Sequence, residues 1–358
     1  MSSELKVDNI SEKTTNAGVQ MGSSLGFVSK TTTEMNAMSG MGAGDTIFNT
    51  TDGTLYVYNG SDWKPMSSPT YTHDISYLVL AGGGSGANGQ PDHGAGGGGG
   101  AGGYRLAYGT DSSGGNASSE TALAVDLNTN YTVTVGAGAA STDNGDNTAG
   151  DGLKGSDSVF ATITSEGGGR GGKWNNTGAA SSQDGGSGGG AGWSKTNAGS
   201  PGSPSQGFAG GDGASSGLSG NVRSAGGGGG AGAAGGDGAA GNAGDGGDGL
   251  ASSISGSSVT RGGGGGGGGG SSAGGSGGGG AGSYADNNGT SATVNTGGGG
   301  GGSHQRGASG AGGSGIVILR FGNTRTISIG AGLTSSTSTS GSDTIVTITA
   351  GTGSVSWS

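Results

Sequence analysis

Residues 226–249 read GGGGGAGAAGGDGAAGNAGDGGDG, and how they are interpreted decides the fold. Glycine returns at every third position, at 226, 229, 232, 235, 238, 241, 244 and 247, until Leu250 ends the series. A period of three is neither the 3.6 of an α-helix nor the 2 of a strand. It is the period of the extended, polyproline-II type of helix. Collagen shares the period, but the whole chain has five prolines and this stretch has none, so a triple helix would lack its imino acids.

Working outward, residues 166–315 contain 63 glycines in 150 positions, and the full chain has 99 in 358. Leu, Ile, Val and Phe together number 44, well under the roughly 20% that a conventional core needs. Only 11% of residues are charged, so self-repulsion is too weak for ordinary charged disorder. Two readings of the glycine region remain: a flexible Gly/Ser linker or a packed bundle of extended glycine helices. In the bundle, backbones without side chains approach until each N–H and C=O bonds a neighbour, with Cα–H···O contacts in support. Those bonds must be dense, because ordering glycine costs more backbone entropy than ordering any other residue. Single aromatics interrupt the region and strand-like sequence closes it at both ends, which favours the bundle.

The flanks are β-type. Tyr77–Ala81 is an apolar strand running into glycine, and Ile316–Phe321 is its natural partner. Tyr131–Val135 and Val159–Ile163 alternate apolar and polar residues, as do Thr326–Ile329 and Thr344–Thr349. Near the N-terminus, residues 5–10 (LKVDNI) alternate as a strand. Thr31 and Glu34 have capping-box spacing for a short helix that Gly40 would stop. Thr46–Asn49 and Leu55–Tyr58 form a predicted hairpin around Asp52-Gly53. The expected fold class is therefore mainly irregular and β: a polyglycine-II-type bundle closed by short strands. A small α+β module over 1–75 and a β-rich tail over 322–358 flank a glycine domain over 76–321.

Several kinds of chemistry are excluded or disfavoured. No cysteine is present, so there is no disulfide, thiolate nucleophile or Cys-bound zinc. A net charge of −10, with 14 scattered Lys and Arg, argues against nucleic acid as a partner. No apolar run is long enough for a membrane span, and the N-terminus lacks the apolar stretch of a secretory signal. His73, His93 and His304 each sit in polar or glycine-rich sequence without a triad pattern. Asp92-His93 alone does not make a metal cage. Matches to G-x-G-x-x-G are chance in so much glycine and lack a following helix. Asp237, Asp245 and Asp248 are read as decorating an exposed glycine helix rather than as a glycosidase pair. The chain is expected to be no enzyme and to need no cofactor.

The residues singled out are the aromatic and polar islands between glycine runs: Trp174, Trp193, Tyr284, and His304 with Arg306. Flat apolar area beside polar handles suits contact with a glycan or a protein surface. The plainer reading is that the aromatics seal the ends of the bundle.

Several stretches resemble tailed-phage fibre proteins, particularly those of marine cyanophages. Residues 5–14 (LKVDNISEKT) resemble the start of such chains, and 31–38 (TTTEMNAM) with 44–63 (GDTIFNTTDGTLYVYNGSDW) a small module common among them. Residues 77–84 (YLVLAGGG) and 312–321 (GGSGIVILRF) look like the opening and closing strands of their glycine-rich domain, and 347–357 (TITAGTGSVSW) like their ending. The glycine-rich adhesins of T-even-like phages are similar in composition. The resemblance implies a virion structural protein assembled in the host cytoplasm: a tail fibre or adhesin, often a homotrimer. It would attach to other virion proteins through residues 1–75 and present loops for reversible binding to a host-surface glycan or protein. This chain departs from those adhesins in carrying its own N-terminal module and C-terminal tail. The alternatives are a head or neck appendage without receptor specificity, and an ice-binding protein, for which a regular Thr or Ser ladder would be needed.

Overall fold

The structure, a computed structural model, describes residues 27–66, 72–90, 94–142, 150–174, 184–194, 206–214 and 223–358. The predicted strand over 5–10 and the Asp92-His93 pair lie outside the described residues. The chain divides into two compact units, Met1–Thr70 and Tyr71–Ser358.

The first unit is a four-stranded sheet with one short helix. Its strands β1 (Val28–Lys30), β2 (Thr46–Asn49), β3 (Thr54–Tyr58) and β4 (Trp63–Pro65) lie in that order, and only β1–β2 is parallel. The crossover between that pair is α1 (Thr32–Asn36). Its capping box forms as the spacing predicts: Glu34 N–H donates to Thr31 Oγ1 at 3.3 Å and Thr31 N–H to Glu34 Oε2 at 2.9 Å. The helix ends sooner than expected, at Asn36 with Ala37 as its cap, and Gly40 instead makes a left-handed turn at φ 82°. The hairpin β2–β3 turns through Gly53, φ 71°, as Asp-Gly requires. Met35 and Ile47 supply its buried apolar side chains.

The second unit holds a ten-stranded antiparallel sheet. The strands are β5 (Thr72–Leu80), β6 (Tyr104–Ala107), β7 (Leu123–Asp126), β8 (Tyr131–Thr134), β9 (Ser158–Phe160) and β10 (Ile163–Ser165). A separate hairpin, β11 (Leu250–Ser252) and β12 (Val259–Arg261), precedes β13 (Ile316–Gly322), β14 (Ile327–Ile329), β15 (Leu333–Ser340) and β16 (Asp343–Trp357). The main path is β10-β9-β8-β16-β13-β5-β6, with β14 and β15 on β16 and β7 on β5. It curls back on itself, bringing β10 against β5 and β6, so the sheet is nearly closed.

The sequence pattern explains the centre of this sheet. In β5 and β13 the side chains alternate between two apolar cores. Ile75, Tyr77, Val79, Val317, Leu319 and Phe321 enter one, with Phe160, Val346, Ile348 and Trp357. Leu78, Leu80, Ile316 and Ile318 enter the other, with Tyr104, Leu106, Ile254 and Ile345. A strand buried on both faces reads as a continuous apolar run, as YLVLA and IVILRF do. The predicted pairing of these runs is present, with Ile316 opposite Leu80 and Leu319 opposite Tyr77.

Two features differ from the sequence reading. Val159–Ile163 is not one strand: Ala161 takes φ 53° and folds it into the β9–β10 hairpin. Tyr77–Ala81 and Tyr131–Val135 fall in the same sheet, as β5 and β8, with β13 and β16 between them. Thr344–Thr349 is the first part of a 15-residue strand that crosses the sheet. Up to residue 350, β16 pairs with β13 and β15; after Gly351, φ 100°, it continues against β8 and β14.

Between the strands, the glycine segments hold no regular helix or ladder among the described residues. Their backbone bonds nevertheless follow a strict rule. In segment 96–103, the N–H groups of residues 97, 100 and 103 donate to the carbonyls of 172, 169 and 166. Those of 98 and 101 donate to 226 and 229, and those of 96, 99 and 102 to 303, 300 and 297. The carbonyls obey the same period. Residues 97, 100 and 103 accept from 87, 84 and 81; 98 and 101 from 190 and 187; 96 and 99 from 268 and 265. All these bonds measure 2.8–3.1 Å. One segment therefore bonds six neighbours, turning to a new one at each residue and returning every third. Residues 297–303 repeat the pattern with partners 84, 87, 96, 99, 102, 263, 266, 280, 283, 290, 310, 313 and 314.

The fit leaves no room for side chains. A Cβ on Gly99 would fall on the carbonyl oxygen of Gly84, and one on Gly228 on that of Gly99. At the rim of the array, where a segment lacks a neighbouring backbone, side chains take its place. Asp245 and Asp248, three residues apart, accept the N–H groups of Ala273 (2.7 Å) and Ser276 (2.8 Å), also three apart. Asp237 accepts from Asp212 N–H at 2.8 Å. The three aspartates are exposed, as expected, and each also ties two segments together.

Candidate functional site

The glycine segments run between the sheet and a far end. There each run meets a bulky aromatic or basic side chain. Run 166–173 ends at Trp174, run 184–192 at Trp193, run 279–283 at Tyr284 and run 297–303 at His304, while Arg223 stands before run 224–231. A side chain that cannot enter the array must lie across its end. The five residues singled out from sequence therefore meet in one region, although 132 positions separate Trp174 from Arg306.

Two ring pairs form this end. Trp174 and Trp193 stack with centroids 6.4 Å apart and planes at 30°. Trp174 Nε1–H donates to Gln90 Oε1 at 2.8 Å, and Trp193 N–H to the Ala95 carbonyl at 3.1 Å. Arg223 lays its guanidinium over Trp193, 4.8 Å from the ring centroid, a cation–π contact. Tyr284 stacks on His304 with centroids 6.1 Å apart and planes at 12°. The backbones of Ala95 and His304 form a bridge, so the two ring pairs flank one chain.

Tight turns aim these side chains. Ser194, Ala285 and Gln305 take φ of 63°, 55° and 51°, strained values for residues other than glycine. Local bonds hold the turns: Ser283 Oγ donates to the Asn287 carbonyl at 2.6 Å, and Asn287 Nδ2 to the Tyr284 carbonyl at 2.9 Å.

The electrostatics are graded from inside to outside. His304 is buried, and burial pushes its imidazole below the ordinary value; Arg223 adds to the shift and Asp286 opposes it. The ring is therefore neutral at pH 7. Tyr284 is 44% exposed, and Arg306 and Asp286 lie outside it, 3.9 Å apart with both side chains more than half exposed. Lys173, beside the tryptophans, shares Asp151 with Arg170: Arg170 Nη1 lies 2.7 Å and Lys173 Nζ 3.9 Å from its carboxylate.

This arrangement can do two things. Trp174 and Trp193 seal the array: a Cβ on Gly94 would lie 2.9 Å from both side chains. Tyr284 and Arg306 face outward with flat apolar area, a cation and an anion side by side. The inner pair thus covers the array, while Tyr284 and Arg306 lie open to solvent. Sequence reading missed Gln90 and Arg223. Arg223 was legible as the last charged residue before a glycine run, the mirror of the aromatics that end other runs. Gln90 carries no such signal. Asn175, Asn176 and Lys195, which extend two of the islands, lie outside the described residues.

Among the described residues no three His, Asp or Glu side chains come together as a metal cluster, and no helix is long and apolar enough to cross a membrane. Residues 61–322 match the family model described as a glycine-rich domain. The match covers well over half of the chain, which belongs to that family. No curated protein matches the chain.

Proposed function

We propose that the chain is a fibre or adhesin subunit of a tailed-phage virion, acting by reversible attachment to a host surface rather than by catalysis. The observation that carries this reading is the gathering of Trp174, Trp193, Tyr284, His304 and Arg306, from four glycine runs, on the end of the array remote from the sheet. Aromatic area beside paired charges on a rigid support is the composition of a contact surface. The array itself we infer to be a bundle of polyglycine-II helices. The three-residue bonding period and the six neighbours of segment 96–103 support that geometry. Residues 1–75 would join the chain to other virion proteins, and several copies on one particle would raise avidity.

Binding of labelled full-length protein to candidate host cells and to a glycan array tests the proposal. Tyr284→Ala and Arg306→Ala should each weaken binding, by about tenfold or more if they are hot spots, with melting temperature unchanged. Binding that neither substitution alters returns both residues to a purely structural role. The half-buried tryptophans over Gly94 favour a second reading, an appendage whose end is only sealed. Immunogold labelling of virions tests it: labels at the head or neck and no cell binding would replace the adhesin reading.

A further inference from the structure

β7 and β14 each pair on one side only but are short, at four and three residues; the long edge that the sheet leaves open is β15. At β6, Ser113 and Ser119 accept the N–H groups of Leu106 (3.2 Å) and Tyr108 (2.9 Å), Gln206 accepts that of Tyr104 (3.0 Å), and Leu106 accepts from Glu120 N–H (2.8 Å). At β10, Arg105 reaches the Thr164 carbonyl at 3.4 Å. β15 pairs with β16 along one side, from Leu333 to Ser340. On its other side Ser335–Ser340 make no backbone bond among the described residues. Residues 334–339 are exposed, so neither face of the strand is covered.

Proteins usually blunt such an edge with Lys, Pro or a very short strand. This one has eight residues, no proline and no charge; residues 326–342 carry no charged side chain at all. The rest of the chain is acidic, with a net charge of −10, so two copies repel except where the surface is neutral. The strand reads LTSSTSTS. Laid antiparallel on itself about Thr337, it sets Ser336 against Ser338, Ser335 against Thr339 and Thr334 against Ser340. Every cross-strand pair is then Ser or Thr against Ser or Thr, a favourable combination.

We propose that β15 is a self-association edge: two copies of this chain pair through their β15 strands, antiparallel, about a two-fold axis near Thr337. The contact is isologous, so it joins copies in pairs. It stands apart from the adhesion reading, and it differs from the three-fold assembly that the fibre resemblance implies.

Sedimentation equilibrium of the full-length chain over a concentration series tests it. The expected result is a dimer. Thr337→Lys, which sets two like charges opposite each other, should weaken it by about tenfold or more, while Thr337→Ser leaves it nearly unchanged. If the lysine variant does not fold, Thr337→Cys decides. The chain has no other cysteine, so oxidation can link only two copies, and a covalent dimer is expected. A monomer at every concentration overturns the proposal. So does a dimer or trimer that folded Thr337→Lys leaves as tight as wild type, or, where that variant does not fold, one that oxidised Thr337→Cys fails to trap.

Discussion

Within the second unit, the sheet and the glycine array solve the same problem by opposite means. The sheet buries side chains: fourteen buried residues form one of its cores and nine the other. The array buries backbone. Its stability rests on lateral hydrogen bonds, each worth only about 1 kcal/mol net, and on close approach. The sheet loses stability when atoms are taken out of it, and the array when atoms are put in.

The strongest test of that contrast is one added methyl group. Gly99→Ala would drive a Cβ onto the carbonyl of Gly84, and neighbours on six sides leave the segment nowhere to move. A loss of about 3 kcal/mol or more is expected in denaturant unfolding, the upper range for overpacking. A loss under about 1 kcal/mol would mean that the array is loose. The reciprocal change, Leu319→Ala in the sheet, removes three carbons from a fully buried site and should cost about 2–5 kcal/mol. If it costs less than Gly99→Ala, the array is the less forgiving region, atom for atom.

A polar test lies beside strands β5 and β6. Glu120 accepts from Arg105 Nε at 3.0 Å and Nη2 at 2.6 Å, from Tyr77 Oη at 2.9 Å and from Ser113 Oγ at 3.2 Å. Burial raises its carboxyl, but the bonds from Arg105 and Tyr77 outweigh burial and hold it below the ordinary value. The folded state therefore binds its proton less readily than the unfolded chain. The stabilisation is full above the unfolded value of about 4.3 and is lost as pH falls through the lower folded value. Arg105→Met should cost about 2 kcal/mol at pH 7, and the gap to wild type should narrow in acid. A constant gap down to pH 2 would remove Glu120 from the account.

The smallest effect is expected at the rim. Asp248→Ala removes the acceptor of Ser276 N–H, an exposed bond worth about 1 kcal/mol or less. Amide exchange at Ser276 should quicken while segment 96–103 stays protected. Quickening throughout would show that the rim and the interior unfold as one.

The same contrast governs what the sequence revealed. Strands β5 and β13 and their pairing were legible because burial on both faces leaves an unbroken apolar run. The capping box was legible because it is local. β15 was not, since LTSSTSTS has no apolar face and becomes a strand only by pairing with β16. The break at Ala161 was hidden because a left-handed alanine has no signature. The five end residues were legible as interruptions in glycine, but nothing in their spacing said that separate runs would bring them together. The three-residue period pointed to extended segments and was silent on which neighbours they bond.

That silence has a physical counterpart. A glycine segment slid by three residues along its neighbours would remake nearly every bond it lost, so the array cannot define its own phase. The strands that clamp the segments do: β5 and β6 fix the two ends of 81–103, and β10 and β13 fix where 166 and 315 enter. Alanines, aspartates and end-blocking tryptophans then act as detents. The sheet is thus the array's indexing mechanism. A chain whose β5–β13 pairing is broken should refold into a mixture of slipped registers rather than a single weakened fold.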